Sequence, residues 1–393
     1  MQILLTAARL WDGNRSIADP LVTIEDGTIA AISVSDGTSL SQAGMTNYSG
    51  ATLAPAFFDV HIHGAAGHDV MEATPEALGA IGGFLASHGT GSYLATTVTA
   101  SIDATLRSLD GLAKLIDRPE RIDAANASGQ PAARPIGIHL EGPFLSHAKC
   151  GAQPPEHLLE PNIALFDRFF AASRGHIRLM TLAPELPGAV ELTAHATKRG
   201  VRVSVGHSDA TAAQTRAAIV AGAVSATHTF NAMRAISHQE PGIMGTVLTE
   251  DAMYAELICD GVHSTPAMAK LFWRAKGAER GILITDAMSA TGMPDGEYLL
   301  GNSMVQVAGG RATTHGVLAG SLLTLDRALS NFVEFAGVSL EQALRLLTVN
   351  PAAMTGFVDQ VGNLEVGAPA NLVALDESGK LIASIHHGKP IAA

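Results

Sequence analysis

Six residues of this 393-residue chain combine a side chain able to hold a divalent metal ion with a place at the end of an apolar run: His61, His63, Glu141, His207, His228 and Asp286. His61 and His63 stand at i and i+2 at the end of the apolar run Ala54-Pro55-Ala56-Phe57-Phe58-Asp59-Val60. Alternate residues of a β-strand share a face, so the two imidazoles project to one side and can share one ion. Four more runs end in an imidazole or a carboxylate: Gly137-Ile138-His139-Leu140-Glu141, Val203-Ser204-Val205-Gly206-His207, Ala226-Thr227-His228 and Ile282-Leu283-Ile284-Thr285-Asp286. Such donors suit zinc or another first-row divalent ion, and six exceed one tetrahedral set. Two ions bridged by Glu141 account for all of them. Each residue alone has an ordinary alternative, a helix cap or ion pair for the carboxylates and a packed ring for the histidines. Repetition of the pattern at five run ends is what favours a metal centre.

Residues at such run ends meet only if the runs lie side by side. From residue 54 to about 350, short apolar runs alternate with helix-like stretches, the pattern of a parallel sheet covered by helices. Eight strands are expected, ending near His63, Thr97, Glu141, Ala183, His207, His228, Asp260 and Asp286. Eight suggests a closed barrel, whose strand C-termini converge on the face where chemistry takes place. Thr74-Pro75-Glu76 and Ser208-Asp209 read as helix starts. Residues 1–53 read as short β-segments with turns, and the chain returns to strand-like text after Asn350-Pro351, at 371–376 and 381–385. The expected fold is α/β: a (β/α)8 TIM-like barrel over residues 54–350 with a small β-sandwich module built from 1–53 and 351–393.

Composition agrees with a compact protein. Hydrophobic residues make up 47% and charged ones 16% of the chain, enough apolar surface for a large core. A net charge of −12 argues against nucleic acid or an anionic membrane as partner, since both demand clustered Lys and Arg. Cys150 and Cys259 are too few for a disulfide framework and read as free thiols. The start, Met1-Gln2-Ile3-Leu4-Leu5-Thr6, lacks a basic region and reads as a strand, not a leader, and no run reaches membrane-spanning length, so the cytoplasm is the expected compartment. Ser204, His207 and Asp209 mimic a hydrolytic triad, but neighbours along one strand cannot fold onto each other. Gly64-Ala65-Ala66-Gly67 lacks the Lys and Ser/Thr of a phosphate loop. His386-His387 reads as solvated surface, and Met233, Met244, Met288 and Met293 as core or pocket filler.

The layout, His61-x-His63, the histidines after strands five and six and the aspartate after strand eight resemble the metal-dependent amidohydrolase superfamily. Within it, His139-Leu140-Glu141-Gly142-Pro143-Phe144, Gly206-His207-Ser208, Thr227-His228-Thr229-Phe230-Asn231-Ala232-Met233, Glu240-Pro241-Gly242, Asp260-Gly261-Val262-His263 and Thr285-Asp286-Ala287-Met288 resemble the N-acetylglucosamine-6-phosphate deacetylase family, in the same order over essentially the whole chain. The resemblance implies hydrolysis of an amino sugar's N-acetyl group to the amine and acetate. Glu141, His207 and His228 then hold metal, and the His61 and His63 pair marks the two-metal branch. Asp286 serves as general acid/base. Ala152, Gln153, Asn231, Ala232, Gln239, His263 and the Leu318-Ala319-Gly320 turn fall at substrate positions, with His263 reaching in from a neighbouring subunit of a homodimer.

Two positions depart from the family pattern. Gly151-Ala152-Gln153 stands where the family usually has Gly-Ala-His or Gly-Thr-His, and Gln239 where it has an arginine that grips the 6-phosphate. Gln carries no charge and cannot make the two-pronged guanidinium contact, so a weaker preference for the 6-phosphate is expected, or another N-acetylhexosamine as substrate. Arg234, His238 and Lys149 are the cations that could compensate. A cyclic-amide hydrolase of the dihydroorotase or hydantoinase kind is the rival enzyme. It usually bridges its metals with a modified lysine after strand four, where this chain reads Leu182-Ala183-Pro184-Glu185. A catalytically dead scaffold would have lost ligands, and none is lost.

Overall fold

The computed structural model describes residues 2–35, 45–127 and 129–391. Eight parallel strands, β1 (Phe57–Ile62), β2 (Thr90–Thr97), β3 (Arg134–Glu141), β4 (Ile177–Leu182), β5 (Arg202–Val205), β6 (Ala223–Ala226), β7 (Tyr254–Ile258) and β8 (Gly281–Ile284), pair in chain order. Closure comes just past the last strand, where Asp286 N donates to His61 O at 2.9 Å and His63 N to Ala287 O at 2.8 Å. Both faces of these strands are covered, so β2 is buried at all eight positions, as a parallel sheet between helices and a packed barrel interior requires. The expected strands are all present.

Several helices start on side-chain caps that satisfy their first free N–H groups. Thr74 accepts from Ala77 N with Pro75 in the first turn, as expected. The helix after β5 differs: it spans Ala212–Ala221 and begins with a Thr211–Gln214 capping box. Ser208 and Asp209 are engaged elsewhere, Ser208 Oγ and Asp209 N donating to Glu185 at 2.7 and 2.6 Å. Glu185 thereby ties the end of β4 to that of β5.

Both chain ends join one eight-stranded sheet. Gln2–Trp11 runs parallel to Met45–Pro55, which pairs antiparallel with Leu372–Leu375. The sheet folds back on itself, Ile29 N donating to Ala368 O and Ala370 N to Gly27 O, both at 2.9 Å, over a core that includes Leu5, Val22, Ile24, Leu53, Leu372 and Ile385. Residues 1, 36–44 and 392–393 of the expected module lie outside the described residues. Before entering this sheet, the chain packs the helix Val349–Thr355 against β1 and β8. His386 is 1% exposed and is a buried residue of the sheet, contrary to the reading of a solvated pair. Met293 likewise departs from the expected filler role, being 40% exposed. Among the described residues no helix is long and apolar enough to cross a membrane.

One element was not foreseen. After β8 the chain forms a four-stranded antiparallel meander, Gly296–Leu300, Ser303–Ala308, Arg311–Thr314 and Val317–Leu318. Its apolar side (Leu300, Val305, Val307, Ala312) packs on Val98 and Met288 at the mouth of the barrel.

Gly142, directly after Glu141, has φ +84°, and a Cβ there would run into Thr99 Oγ1. Gly309 has φ +57° with open space around it. Urea titration should show Gly142→Ala lowering unfolding free energy by about 3 kcal/mol or more, against about 1 kcal/mol for Gly309→Ala, because only the first adds a clash with the buried Thr99 side chain to the left-handed penalty. Equal losses would mean that the turn after β3 yields freely.

Candidate active site

All six expected donors lie at the C-terminal mouth of the barrel and are buried. They form two triads, His61 with His63 and Asp286, and Glu141 with His207 and His228. In the first, His61 Nε2 is 3.3 Å from His63 Nε2, and Asp286 Oδ1 is 3.5 and 3.2 Å from those two nitrogens. In the second, His207 Nε2 and His228 Nε2 are 3.0 Å apart, and Glu141 Oε1 is 3.4 and 3.3 Å from them. Glu141 Oε2 faces His63 Nε2 at 3.3 Å, so one carboxylate spans both triads.

The outer hydrogen bonds decide which ring nitrogen is free. His63 Nδ1 faces Thr96 O at 3.1 Å and His207 Nδ1 faces Lys149 O at 3.0 Å. A carbonyl only accepts, so both Nδ1 atoms carry the proton and both Nε2 atoms present lone pairs. His61 Nδ1 does the same toward Glu256 Oε2 at 3.3 Å. With their Nδ1 protons directed outward, His61 and His63 face each other lone pair to lone pair, which is repulsive unless a proton or a metal cation lies between. Tetrahedral zinc with bonds of about 2.0–2.1 Å has donor-to-donor edges of roughly 3.3 Å, the spacing seen in both triads. The donor set therefore fits divalent metal.

Electrostatics point the same way. Burial opposes charge on both acids, yet the histidines outweigh it: Glu141 is held well below the usual carboxylate range by His61, His207 and His228, and Asp286 falls to about 2 beside His61 and His63. Against the same burial, Glu141 and Asp286 raise His63 to about 9 and His61 well above its ordinary value. The cluster demands positive charge, and divalent ions satisfy that demand.

Several supporting residues carried no expectation. Glu256, buried in the middle of β7, accepts from His61 Nδ1 and, at 3.2 Å, from His228 N. Asp59, pushed up to about 7 by burial, accepts from Thr285 Oγ1 at 2.6 Å and His61 N at 3.2 Å. His139, held neutral by burial, packs edge-on against His61 with ring centroids 4.7 Å apart. A lone acid inside Tyr254-Ala255-Glu256-Leu257-Ile258 was the available signal for Glu256, and position i−2 from His61 the one for Asp59.

A pocket of about 360 Å³ opens over the triads, lined by Ala152, Gln153, Asn231, Ala232, His263, Leu318 and Gly320 among others. Gln153 Nε2 donates to Glu141 Oε2 at 2.7 Å while its Oε1 accepts from Thr99 N at 2.8 Å. Leu300 and Val317 of the meander complete the wall. Three expectations are corrected. Ala319 is fully buried in the cluster beneath the meander and does not face the cavity. Gln239 is exposed on its loop and does not line its own chain's pocket. His263 does line its own chain's pocket, held by Asp260 Oδ2 at 2.7 Å, so no neighbouring subunit is required to deliver it. Of the compensating cations, Arg234 and Lys149 both pair with Asp209, at 2.9 and 3.7 Å.

The amidohydrolase family pattern matches residues 52–391. An N-acetylgalactosamine-6-phosphate deacetylase of Escherichia coli O157:H7 is 40% identical over 377 residues, 96% of either chain. The N-acetylglucosamine-6-phosphate deacetylase of Bacillus subtilis (strain 168) is 36% identical over 376 residues, covering 95% of this chain and 93% of its own. A mutant N-acetyl-D-glucosamine-6-phosphate deacetylase of Mycobacterium smegmatis, solved in complex with N-acetyl-D-glucosamine-6-phosphate, superposes with a TM-score of 0.90 at 35% identity over the whole of both chains.

Loss of an outer carboxylate typically weakens metal binding about 10- to 100-fold. Glu256→Ala should therefore raise the metal dissociation constant by about that factor in competition with a chromogenic chelator, and Glu256→Gln, which can still accept from His61 Nδ1, should restore most of it. Unchanged affinity in a folded Glu256→Ala protein would remove Glu256 from the site.

Proposed function

Because the chain belongs to the amidohydrolase family, we propose that its pocket hydrolyses the N-acetyl group of an amino sugar phosphate, with N-acetylglucosamine 6-phosphate as the leading substrate and glucosamine 6-phosphate plus acetate as products. The observation that carries this reading is the pair of donor triads joined by Glu141 at the floor of a pocket of small-ligand size. His61, His63 and Asp286 would hold one ion and Glu141, His207 and His228 the other, zinc being the proposed metal on the strength of its fit to the donor spacing. Bound there, the ions supply Lewis acidity toward the acetyl carbonyl and the attacking water.

The chain's own residues do the rest. Asp286 Oδ1 faces His61 and His63, which leaves Oδ2 to take the proton of the attacking water and return it to the amine nitrogen as the C–N bond breaks. Gln153 and Thr96 act indirectly, Gln153 by fixing Glu141 and Thr96 by fixing the His63 ring. His263, its Nδ1 bound to Asp260, offers Nε2 to the substrate. Asn231, Ala232 and Ala152 shape the sugar wall. No lysine enters the site at β4, where Glu185 is spent on Ser208 and Asp209, a difference from the cyclic-amide hydrolases.

A second reading has support of its own: N-acetylgalactosamine 6-phosphate as the preferred epimer. The Escherichia coli relative carries that substrate in its name, and Gln153 replaces the family's usual histidine beside Glu141. The catalytic unit is proposed as residues 54–350, braced by 1–53 and 351–393. A homodimer is proposed from the half-exposed Ile236 on the loop that also carries Gln239, and the cytoplasm from two unpaired thiols.

Acetate release from the two epimers, each with and without the 6-phosphate, tests the reading. One phosphorylated epimer should lead, and, with the Gln239 loop reaching the partner's pocket in the proposed homodimer, Gln239→Arg should raise kcat/KM for phosphorylated substrates more than for the others. Asp286→Asn should cut kcat by on the order of 10² to 10⁴ while the protein stays folded. Failure to release acetate from any of the four sugars by metal-loaded protein would overturn the assignment.

A further inference from the structure

The opposite end of the barrel carries a second cavity, of about 530 Å³, between the N-terminal ends of β1, β3 and β4 and the terminal sheet. Arg134, Arg178, His176 and His387 line it, and among the described residues no Asp or Glu does. That imbalance is notable in a chain with 37 acidic and 25 basic residues. Asp117 and Asp123 lie behind the wall, Asp117 against His176 at 2.8 Å and Asp123 against Arg134 Nη2 at 2.6 Å.

Two guanidinium groups retain unused capacity. Arg134 Nη1 is shielded from solvent and has no hydrogen-bond partner among the described residues. Arg178 makes no ion pair or hydrogen bond there either; it lies over the Phe357 ring at 5.7 Å. Its placement depends on Gly137 of β3, because a Cβ at residue 137 would stand 2.7 Å from Arg178 Cγ. A glycine on one strand thus lets an arginine of the next lean across it toward the cavity. Burial and then Arg134 hold the His387 imidazole below its ordinary value. Gln360 and Asn371 supply amides, and Phe357 an apolar floor.

We propose that this basal cavity is a binding site for a small phosphomonoester, with its phosphate between Arg134 and Arg178 and its carbon body against Phe357. Guanidinium groups match phosphate oxygens in charge and in fork geometry. The cavity shares no lining residue with the catalytic pocket, so this inference stands whether or not the proposed substrate is correct.

The test uses metal-loaded full-length protein, with inorganic phosphate, glucose 6-phosphate and glucose as probes. Titration calorimetry is run on wild type, Arg178→Gln and Arg134→Gln, and crystals soaked in glucose 6-phosphate locate the bound molecule. Expected are density in the basal cavity, no heat with glucose, and an affinity for glucose 6-phosphate at that site lowered roughly tenfold or more by either substitution. Tighter binding of glucose 6-phosphate than of inorganic phosphate assigns a role to the Phe357 floor, and equal affinity would overturn that part. Deacetylation by Arg178→Gln should remain at the wild-type level. Density confined to the metal pocket, or affinities unchanged in both folded variants, would overturn the proposal.

Discussion

The site is organised around an electrostatic conflict that only a cation resolves. Two pairs of imidazole nitrogens face each other at 3.0 and 3.3 Å, and in three of the four rings a hydrogen bond at Nδ1 turns the lone pair of Nε2 inward. Two buried carboxylates close the set. In water such groups would separate or take up protons. Here the barrel holds them together, and the surrounding structure can be read as what maintains that arrangement.

Part of the holding is visible as backbone strain. His207, His228 and Asp286 all have positive φ, at 45°, 30° and 51°, a conformation that costs a non-glycine residue on the order of 1–3 kcal/mol. Each follows a strand end, where the chain must turn sharply while its side chain still points across the barrel mouth. The strain is tolerated because neighbours over-determine the geometry: Asp286 N bonds to β1, Ser321 N bonds back to Asp286 O, and His228 N is fixed by Glu256. Without bound cations this scaffold would keep the strain and lack the attraction that offsets it.

The barrel and the six donors were legible in the sequence because each rests on a local pattern: strand period, a covered parallel sheet, and a donor at the end of five of the eight runs. What escaped depended on contacts between distant segments. Glu256 and His139 sit inside apolar runs, and nothing local says which ring they touch. The meander at 296–318 was missed because its strands are short and separated by glycine turns. His263 was misplaced for a different reason: family likeness can assign a residue to a pocket, while the hydrogen bond to Asp260 decides from which chain it enters. Gln153 shows the converse, a departure from family pattern that became intelligible once its amide was found bridging Glu141 and Thr99 N.

The central claim is that two triads hold two ions with Glu141 between them, and metal content per folded chain tests it most directly. Protein purified without chelator, supplied with zinc and freed of loose metal by gel filtration, should carry close to two ions per chain by elemental analysis. The His61→Ala, His63→Ala double variant should carry close to one. A wild-type protein that never exceeds one ion per chain under saturating supply would contradict the account.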